Sequence, residues 1–307
     1  MRQIRVFAPG SIGNVGPGLD VLGLAVEGPG DVVTAARTAG RRIEVRDSGH
    51  PSLTADPTRH ASALAARAVL RLAGRTGTGI ALWLEKGLPL SGGQGGSAAS
   101  AVAGAVATNL LLGSPLDQLG LLRASLAAES TLAGHHLDNI APSLVGGLTV
   151  IRSMTPIDVI RLTPPRGLLL VLAKPSYELR TKRGRAVLPA RVSRAIALHQ
   201  AAQVAGIVAA AGLDDVRLFG RSIDDRIAEP ARLKLLPGFA AAKRAALRAG
   251  AYGCSISGSG PTLFAVTGSK AMARRVAVAV EASYRRSGFA ADVRVAAPDL
   301  RGARVVR

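Results

Sequence analysis

What the chain is short of narrows it first. A single cysteine, Cys254, permits neither an intrachain disulfide nor a multi-cysteine metal site, so packing must supply the stability and a reducing cytosol fits. Aromatic residues make up only 3%, and they do not interleave with basic residues as the stacking platforms of single-strand nucleic-acid binders require. Acidic residues number 20 against 39 Lys and Arg, leaving a net charge of +19. Such a balance invites a nucleic-acid partner. The excess, however, is mostly Arg scattered along predicted helices, as at Arg71, Arg123, Arg194, Arg248 and Arg274, with no helix-turn-helix, zinc or RNA-binding signature. Adhesion to polyanions at low salt is expected, but no specific nucleic-acid partner. No uninterrupted apolar run of membrane-spanning length stands out. The start, MRQIRVFAPGSIGNVG, lacks the apolar stretch and cleavage site of a signal peptide. A soluble, cytoplasmic protein without a membrane partner is the expectation.

What is there is an ordinary globular composition, 48% hydrophobic and 19% charged, over 307 residues, a length that favours two packed domains. Strands are predicted at 2–8, 20–26, Arg42–Arg46 and Gly79–Glu85, and a helix over Arg59–Ala73. The loop Pro89–Gly96 opens into a mostly buried helix, Ser97–Leu112, followed by a helix over Pro115–Leu132. Pro142–Ile151 and Ile157–Leu162 read as strands, and Pro164-Pro165 marks a boundary between domains 1–165 and 166–307. Beyond it the pattern predicts a strand over Gly167–Ala173, helices over Arg191–Ala211 and Phe239–Ala249, strands at Cys254–Ser257 and Thr262–Val266, a helix over Lys270–Ser287 and a last strand at Ala291–Val295. Strands and helices interleave, so the class is α+β.

Three glycine-rich segments carry the chemistry. Ser91-Gly92-Gly93-Gln94-Gly95-Gly96-Ser97-Ala98-Ala99-Ser100 runs straight into a helix, where glycines admit a close ligand and the first-turn N–H groups attract an anion. It is no P-loop, since no Lys follows the glycines. Gly93-x-Gly95-x-x-Ala98 formally fits a dinucleotide fingerprint, but the preceding strand ends too early. A loop that merely turns the chain stays open for this segment alone. The second segment, Ala8–Asp20, places Asn14 and Asp20 around a glycine turn, and the third, Gly253–Thr262, joins two strands.

In this order and spacing the three segments resemble the motifs of the GHMP kinases, named for galactose, homoserine, mevalonate and phosphomevalonate. The resemblance runs nearly the whole chain and is closest to the homoserine kinases. It rests on APGSIGNVGPGLDVLGLAV, on His136-Leu137-Asp138-Asn139-Ile140-Ala141-Pro142-Ser143, on Thr181-x-x-x-Arg185-x-x-Leu188-Pro189, on Glu229-Pro230-x-Arg232 and on SISGSGPTLFAV.

The resemblance implies an N-terminal domain like domain 2 of ribosomal protein S5, a ferredoxin-like C-terminal domain, and an active site in the cleft between them. It implies ATP and L-homoserine as substrates, Mg²⁺ as cofactor and a role in threonine biosynthesis; a homodimer is compatible with the sequence. The nucleotide would meet Lys86, Pro89, Leu90, Ser91, Gly92, Gly93, Gln94, Gly95, Gly96, Ser97, Ala98 and Ser100, with Ser97 and Glu129 on Mg²⁺. Asp20 and His136 would face the substrate ammonium, and Arg185, Arg232 and Thr181 its carboxylate. Asn14, Asp138 and Asn139 would surround the hydroxyl and the transferring phosphoryl group. Mevalonate and galactose relatives place an Asp where Asn139 stands, so attack without a dedicated protein base is expected.

The chain departs from the family pattern at several places. Gln94 stands for the usual Leu and Gly96 for a Ser, a change that bears on nucleotide affinity. Ile12, Gly13 and Leu19 replace Ser, Ala and Phe, and the stretch from Glu129 to His136 is about one residue short. His135 is expected in solvent, His50, His60 and His199 at surface or capping positions with His60 able to border the nucleotide, and Cys254 as a small buried hydrophobe. Asp214-Asp215 and Asp224-Asp225 read as solvated helix ends. A mevalonate or sugar kinase, and a noncatalytic sensor on the same fold, are the rival readings.

Overall fold

A computed structural model describes residues 3–307; Arg2, at the start of the first predicted strand, lies outside them. The chain forms two sheets with helices packed on them, the α+β class expected. Strand β1 (Gln3–Gly13) pairs antiparallel with β2 (Leu22–Arg37). Both run past the predicted ends. The register jumps at Pro9/Gly10, where Pro9 faces Gly30 and Gly10 faces Val26. Exposed Glu27, Gly28 and Pro29 therefore bulge out of the ladder, and Pro29 needs no N–H there. Breakers that end a strand on paper only interrupt it.

The first sheet runs β11-β1-β2-β4-β3, with β5 on β2 and β6 on β5. Its members are β3 (Ile43–Asp47), β4 (Ile80–Glu85), β5 (Leu148–Met154), β6 (Ile157–Leu162) and β11 (Arg304–Val305). Helices α1 (Ala61–Leu72), α2 (Gly96–Leu111) and α3 (Gln118–Leu132) cover it, close to prediction. The predicted strand at 142–151 is half wrong. Ile140–Val145 is helix α4, with Pro142 in its first turn and Gly146 and Gly147, at φ of 71° and 73°, turning the chain into β5.

The second sheet has the order β10-β7-β9-β8, antiparallel throughout, which is the ferredoxin-like arrangement. Its strands are β7 (Leu169–Pro175), β8 (Gly253–Ile256), β9 (Leu263–Thr267) and β10 (Ala291–Ala296). The helices α6 (Arg194–Leu213), α9 (Phe239–Arg248) and α10 (Lys270–Arg286) were anticipated. Three short ones were not: α5 (Thr181–Ala186), α7 (Val216–Arg221) and α8 (Ala228–Arg232), each too brief to show a hydrophobic period. By length and composition α6 is apolar enough to cross a membrane, with a mean hydropathy of 1.5 and little of it buried, although Arg194, His199, Gln200 and Gln203 interrupt its apolar run. Its buried Gln200 donates to Pro17 O (2.9 Å) and Asp225 Oδ1 (3.1 Å) and accepts from Arg226 N (2.9 Å), fastening the helix through polar groups.

Residues beyond Ala296 return to the first sheet, although a single cut at 165/166 assigns them to the second domain. Asp299 exchanges backbone bonds with Gly147 and Ala25, and β11 pairs with Val6 and Phe7 of β1. One apolar cluster also crosses between the sheets, joining Ile12, Leu22, Leu24 and Leu148 to Leu170, Phe219, Phe264 and Val266. The two sheets thus share a continuous hydrophobic core, none of whose members lines the cleft.

The returning tail hangs on Asp299, whose buried carboxylate accepts from Arg301 N (2.8 Å), Gly302 N (2.9 Å) and Arg304 Nη1 (3.0 Å). Removing it leaves those donors unsatisfied. Asp299→Ala is expected to lower stability by about 2 kcal/mol in urea unfolding.

Candidate active site

A cavity of about 1110 Å³ lies between the domains, lined by all three glycine segments together with α5 and α8. At one end stands the N-terminus of α2. Gly95 precedes the helix at φ 69°, and no side chain caps it. The first intrahelical bond runs from Ala99 N to Gly95 O (2.9 Å), so the N–H groups of Gly96, Ser97 and Ala98 lack intrahelical acceptors and, with the helix dipole, favour an anion.

Sterics explain the glycines. A Cβ on Gly93 (φ 75°) would stand 2.6 Å from Ser257 O and 2.7 Å from Gly260 O, and one on Gly95 would reach Ser11 Oγ and, at 3.0 Å, Asn139 Oδ1. The loops are also sewn together. Ser257 Oγ donates to Gly93 O (2.6 Å), Thr262 Oγ1 to Gly92 O (2.5 Å), and Gly258 N to Gly13 O (3.1 Å).

Of the residues expected at the nucleotide, Lys86, Pro89, Leu90, Ser91, Gly92, Gly93, Gln94, Gly95, Gly96, Ser97 and Ser100 line the cavity; Ala98 does not, being buried in the apolar core. Gln94 turns its amide toward the second domain. Nε2 donates to Thr262 Oγ1 (3.3 Å) and Oε1 accepts from Arg294 (3.1 Å), so this departure from the family pattern ties the domains together. His60 lines the cavity as well, buried, with Nδ1 on Ser62 Oγ (2.9 Å), and burial holds its pKa below the usual value.

Glu129 faces the start of α2. Oε1 accepts from Ser97 Oγ (3.0 Å), whereas buried Oε2 has no partner among the described residues. Burial raises the pKa of this carboxyl, against the pull of His136. An orphaned carboxylate oxygen beside a hydroxyl is a donor set that suits a hard cation.

At the other end Asp20, His136 and Asp138 bring ligand atoms within 4.8 Å of one another. His136 Nδ1 bonds Asp138 Oδ1 (3.0 Å), and its buried Nε2 has no partner among the described residues. Asn139 donates to Asp138 Oδ1 (3.3 Å) and accepts from Ser11 Oγ (3.0 Å). Gly13 allows this crowding, since a Cβ there would come within 2.5 Å of Asn139 Nδ2. Asn14, at φ 67°, spends its amide on backbone, donating to Gly258 O (3.0 Å) and accepting from Asp20 N (3.1 Å). It therefore holds Asp20 and the third segment in place while lining the cavity, with its second N–H and second oxygen lone pair uncommitted.

Arg185 and Asp20, expected to meet opposite ends of a substrate, pair with each other, Nη1 to Oδ2 at 3.1 Å and Nη2 to Oδ1. Asp20 itself is not in the cavity wall; Arg185 is. Thr181 opens α5 and accepts from Ser259 Oγ (3.5 Å). Arg232, 2% exposed, donates Nε to Gly184 O (3.0 Å) and Nη1 to Gly258 O (2.9 Å), and forms no ion pair among the described residues. Burial, with the Arg185 charge nearby, pulls its pKa below the usual arginine value. Asp225 sets up this arginine. Far from being a solvated helix end, it is buried and caps α8 through the N–H groups of Ile227 (2.8 Å), Ala228 (3.0 Å) and Glu229 (2.8 Å). Among the other expectations, Cys254 is buried and free, and exposed His135 bonds Ser130.

Known proteins fit this geometry. The family model for the N-terminal domain of GHMP kinases matches residues 62–147, and that for their C-terminal domain matches 207–286. A homoserine kinase of Chlorobaculum tepidum is 38% identical, covering 100% of this chain and 99% of the relative. One from Arabidopsis thaliana is also 38% identical, over 87% of this chain and 75% of its own. A crystal structure of homoserine kinase from Cytophaga hutchinsonii superposes with a TM-score of 0.94 at 38% identity, covering 100% and 98% of the two chains. The chain belongs to the GHMP kinases, and within them to the homoserine kinase family.

Two predictions follow from the geometry. Gly93→Ala, forced into a left-handed backbone against two carbonyls, is expected to destabilise by about 3 kcal/mol in thermal melts and to raise the ATP KM. The second concerns pH. Burial of the His136 ring opposes its charging, but the bond and charge of Asp138 outweigh this and hold the pKa above 6.5. A raised histidine stabilises the fold fully below its unfolded value, and the gain fades as pH rises through the folded value. The stability difference between wild type and His136→Gln should therefore be larger at about pH 6 than at about pH 9 in urea titrations.

Proposed function

We propose that the chain transfers the γ-phosphoryl group of ATP to the side-chain hydroxyl of L-homoserine, yielding O-phospho-L-homoserine and ADP, in the route from aspartate to threonine. The observation that carries the acceptor assignment is Arg232, a buried guanidinium facing the cavity without a carboxylate of its own. Burying such a charge unpaired is costly, so the site is built for an anion. Beside it the Asp20, His136 and Asp138 corner suits a cation. Together they match the carboxylate and ammonium of an amino acid. A sugar offers neither charge, and mevalonate offers only one.

The nucleotide phosphates are assigned to the Gly93–Ser97 loop and the first turn of α2. Ser97 and Glu129 would hold Mg²⁺, which supplies charge neutralisation to the phosphates. The substrate oxygen forms a bond to the γ-phosphorus while the bond from that phosphorus to the ADP oxygen breaks. Asn139 has no basic atom, so the hydroxyl proton is assigned to a phosphate oxygen. The residues of the chain orient the partners, with Asp138 fixed between His136 and Asn139.

A coupled ADP-release assay with L-homoserine, D-homoserine, L-serine, L-threonine and mevalonate tests this. Selective turnover of L-homoserine is expected, with kcat/KM falling about 100-fold or more in Arg232→Ala. Turnover of mevalonate in preference to homoserine, or of none of the five, sinks the substrate assignment.

A further inference from the structure

A residue outside the three glycine segments sits under the phosphate loop. Asp31, in β2, is completely buried, and its carboxylate accepts from Lys86 Nζ, from Ser100 Oγ (2.5 Å) and from the backbone N–H groups of Gly87 (3.2 Å) and Leu88 (3.1 Å). Lys86, immediately after β4, is 4% exposed at its side chain. Its ammonium also donates to Gly96 O (2.9 Å) and lies 3.4 Å from Ser100 Oγ. An ammonium has three N–H donors. Asp31, Gly96 and Ser100 take all three, which leaves none for a phosphate. Gly96 makes room, since Nζ stands 3.0 Å from where a Cβ at that position would be.

The contacts fall at both ends of the loop. Gly87 and Leu88 begin it, and Gly96 ends it as the first residue of α2. The Gly96 carbonyl and the Ser97 N–H share one peptide plane and point in opposite directions. Holding the carbonyl on Lys86 therefore aims the Ser97 N–H toward the cavity. We propose that Asp31 and Lys86 form a buried clamp that closes the phosphate loop on itself and orients the α2 N-terminus. On this view Lys86 is a positioning residue and no ligand of the nucleotide. The proposal rests on the reading above that this loop holds the ATP phosphates.

The test compares Asp31→Asn, Lys86→Met, their combination and Ser100→Ala. MgADP is titrated calorimetrically without acceptor, KM values are measured separately for ATP and L-homoserine, and folding is followed through Trp83 fluorescence. The clamp predicts that each single variant at 31 or 86 weakens MgADP binding by about tenfold, because it strands a buried charge, while the homoserine KM holds. The double variant should recover part of the loss. If Lys86 instead contacts phosphate, Asp31→Asn frees its ammonium and tightens MgADP binding; that result, or strictly additive losses in the double variant, overturns the clamp. Should Asp31→Asn not fold, Ser100→Ala keeps both charges and is expected to stay folded with a melting temperature a few degrees lower and to weaken MgADP binding about threefold; wild-type affinity there also overturns it. An error in the acceptor assignment would show separately, as a wild type that binds MgADP but does not turn over homoserine.

Discussion

The structure depends on three backbone loops lying closer together than side chains allow. Gly93 has room for no atom beyond its Cα before meeting the carbonyls of Ser257 and Gly260, and Gly95 is hemmed in by Ser11 and Asn139. That proximity turns segments far apart in sequence into one surface. It also dictates the chemistry, because what a glycine loop offers is N–H groups at fixed positions rather than side chains. Two hydroxyls of the third segment, Ser257 and Thr262, donate to the Gly93 and Gly92 carbonyls of the second, which satisfies acceptors that would otherwise lie beside the N–H groups.

Polar groups around this surface divide into those that hold and those that receive. Asn14, Asp225, Gln94, Asp31 and Lys86 are all committed to neighbours. Among the described residues, buried His136 Nε2 and Glu129 Oε2 have no partner, and buried Arg232 bonds only to carbonyls, with no carboxylate to pair it. Asp20 and Arg185 stand between the two classes, satisfied by each other until something replaces the pair. A residue's chemical type alone does not reveal to which class it belongs.

That distinction marks how far the sequence could be read. Most of the elements followed from period and punctuation, whereas Glu129, His136 and Arg232 lie outside the three glycine segments and came to notice through the family resemblance. What escaped was set by long-range geometry. The second half of β2 hid behind Gly28 and Pro29, which the bulge accommodates. Helix α4 hid behind residues that also favour strands, and a two-residue strand such as β11 has no periodicity to detect. Asp31 lies in a strand with no motif around it, and only the fold reveals that β2, β4 and α2 converge there. Asn14 lines the cavity, and the bonds of its amide to Gly258 O and Asp20 N are long-range contacts that sequence does not show.

The path of the chain has a mechanical consequence. It leaves the first sheet after Leu162, builds the second domain, and rejoins the first sheet at Pro298, which bridges to Val26. The second domain is thus an insertion hung at two points and packed on a shared apolar core, and not a bead at the end of a single linker. A body suspended twice can tilt about the line through its two attachments but cannot twist or swing freely. Chain connections on both sides of the second domain, with the shared core between the sheets, thereby hold the three loops in one register.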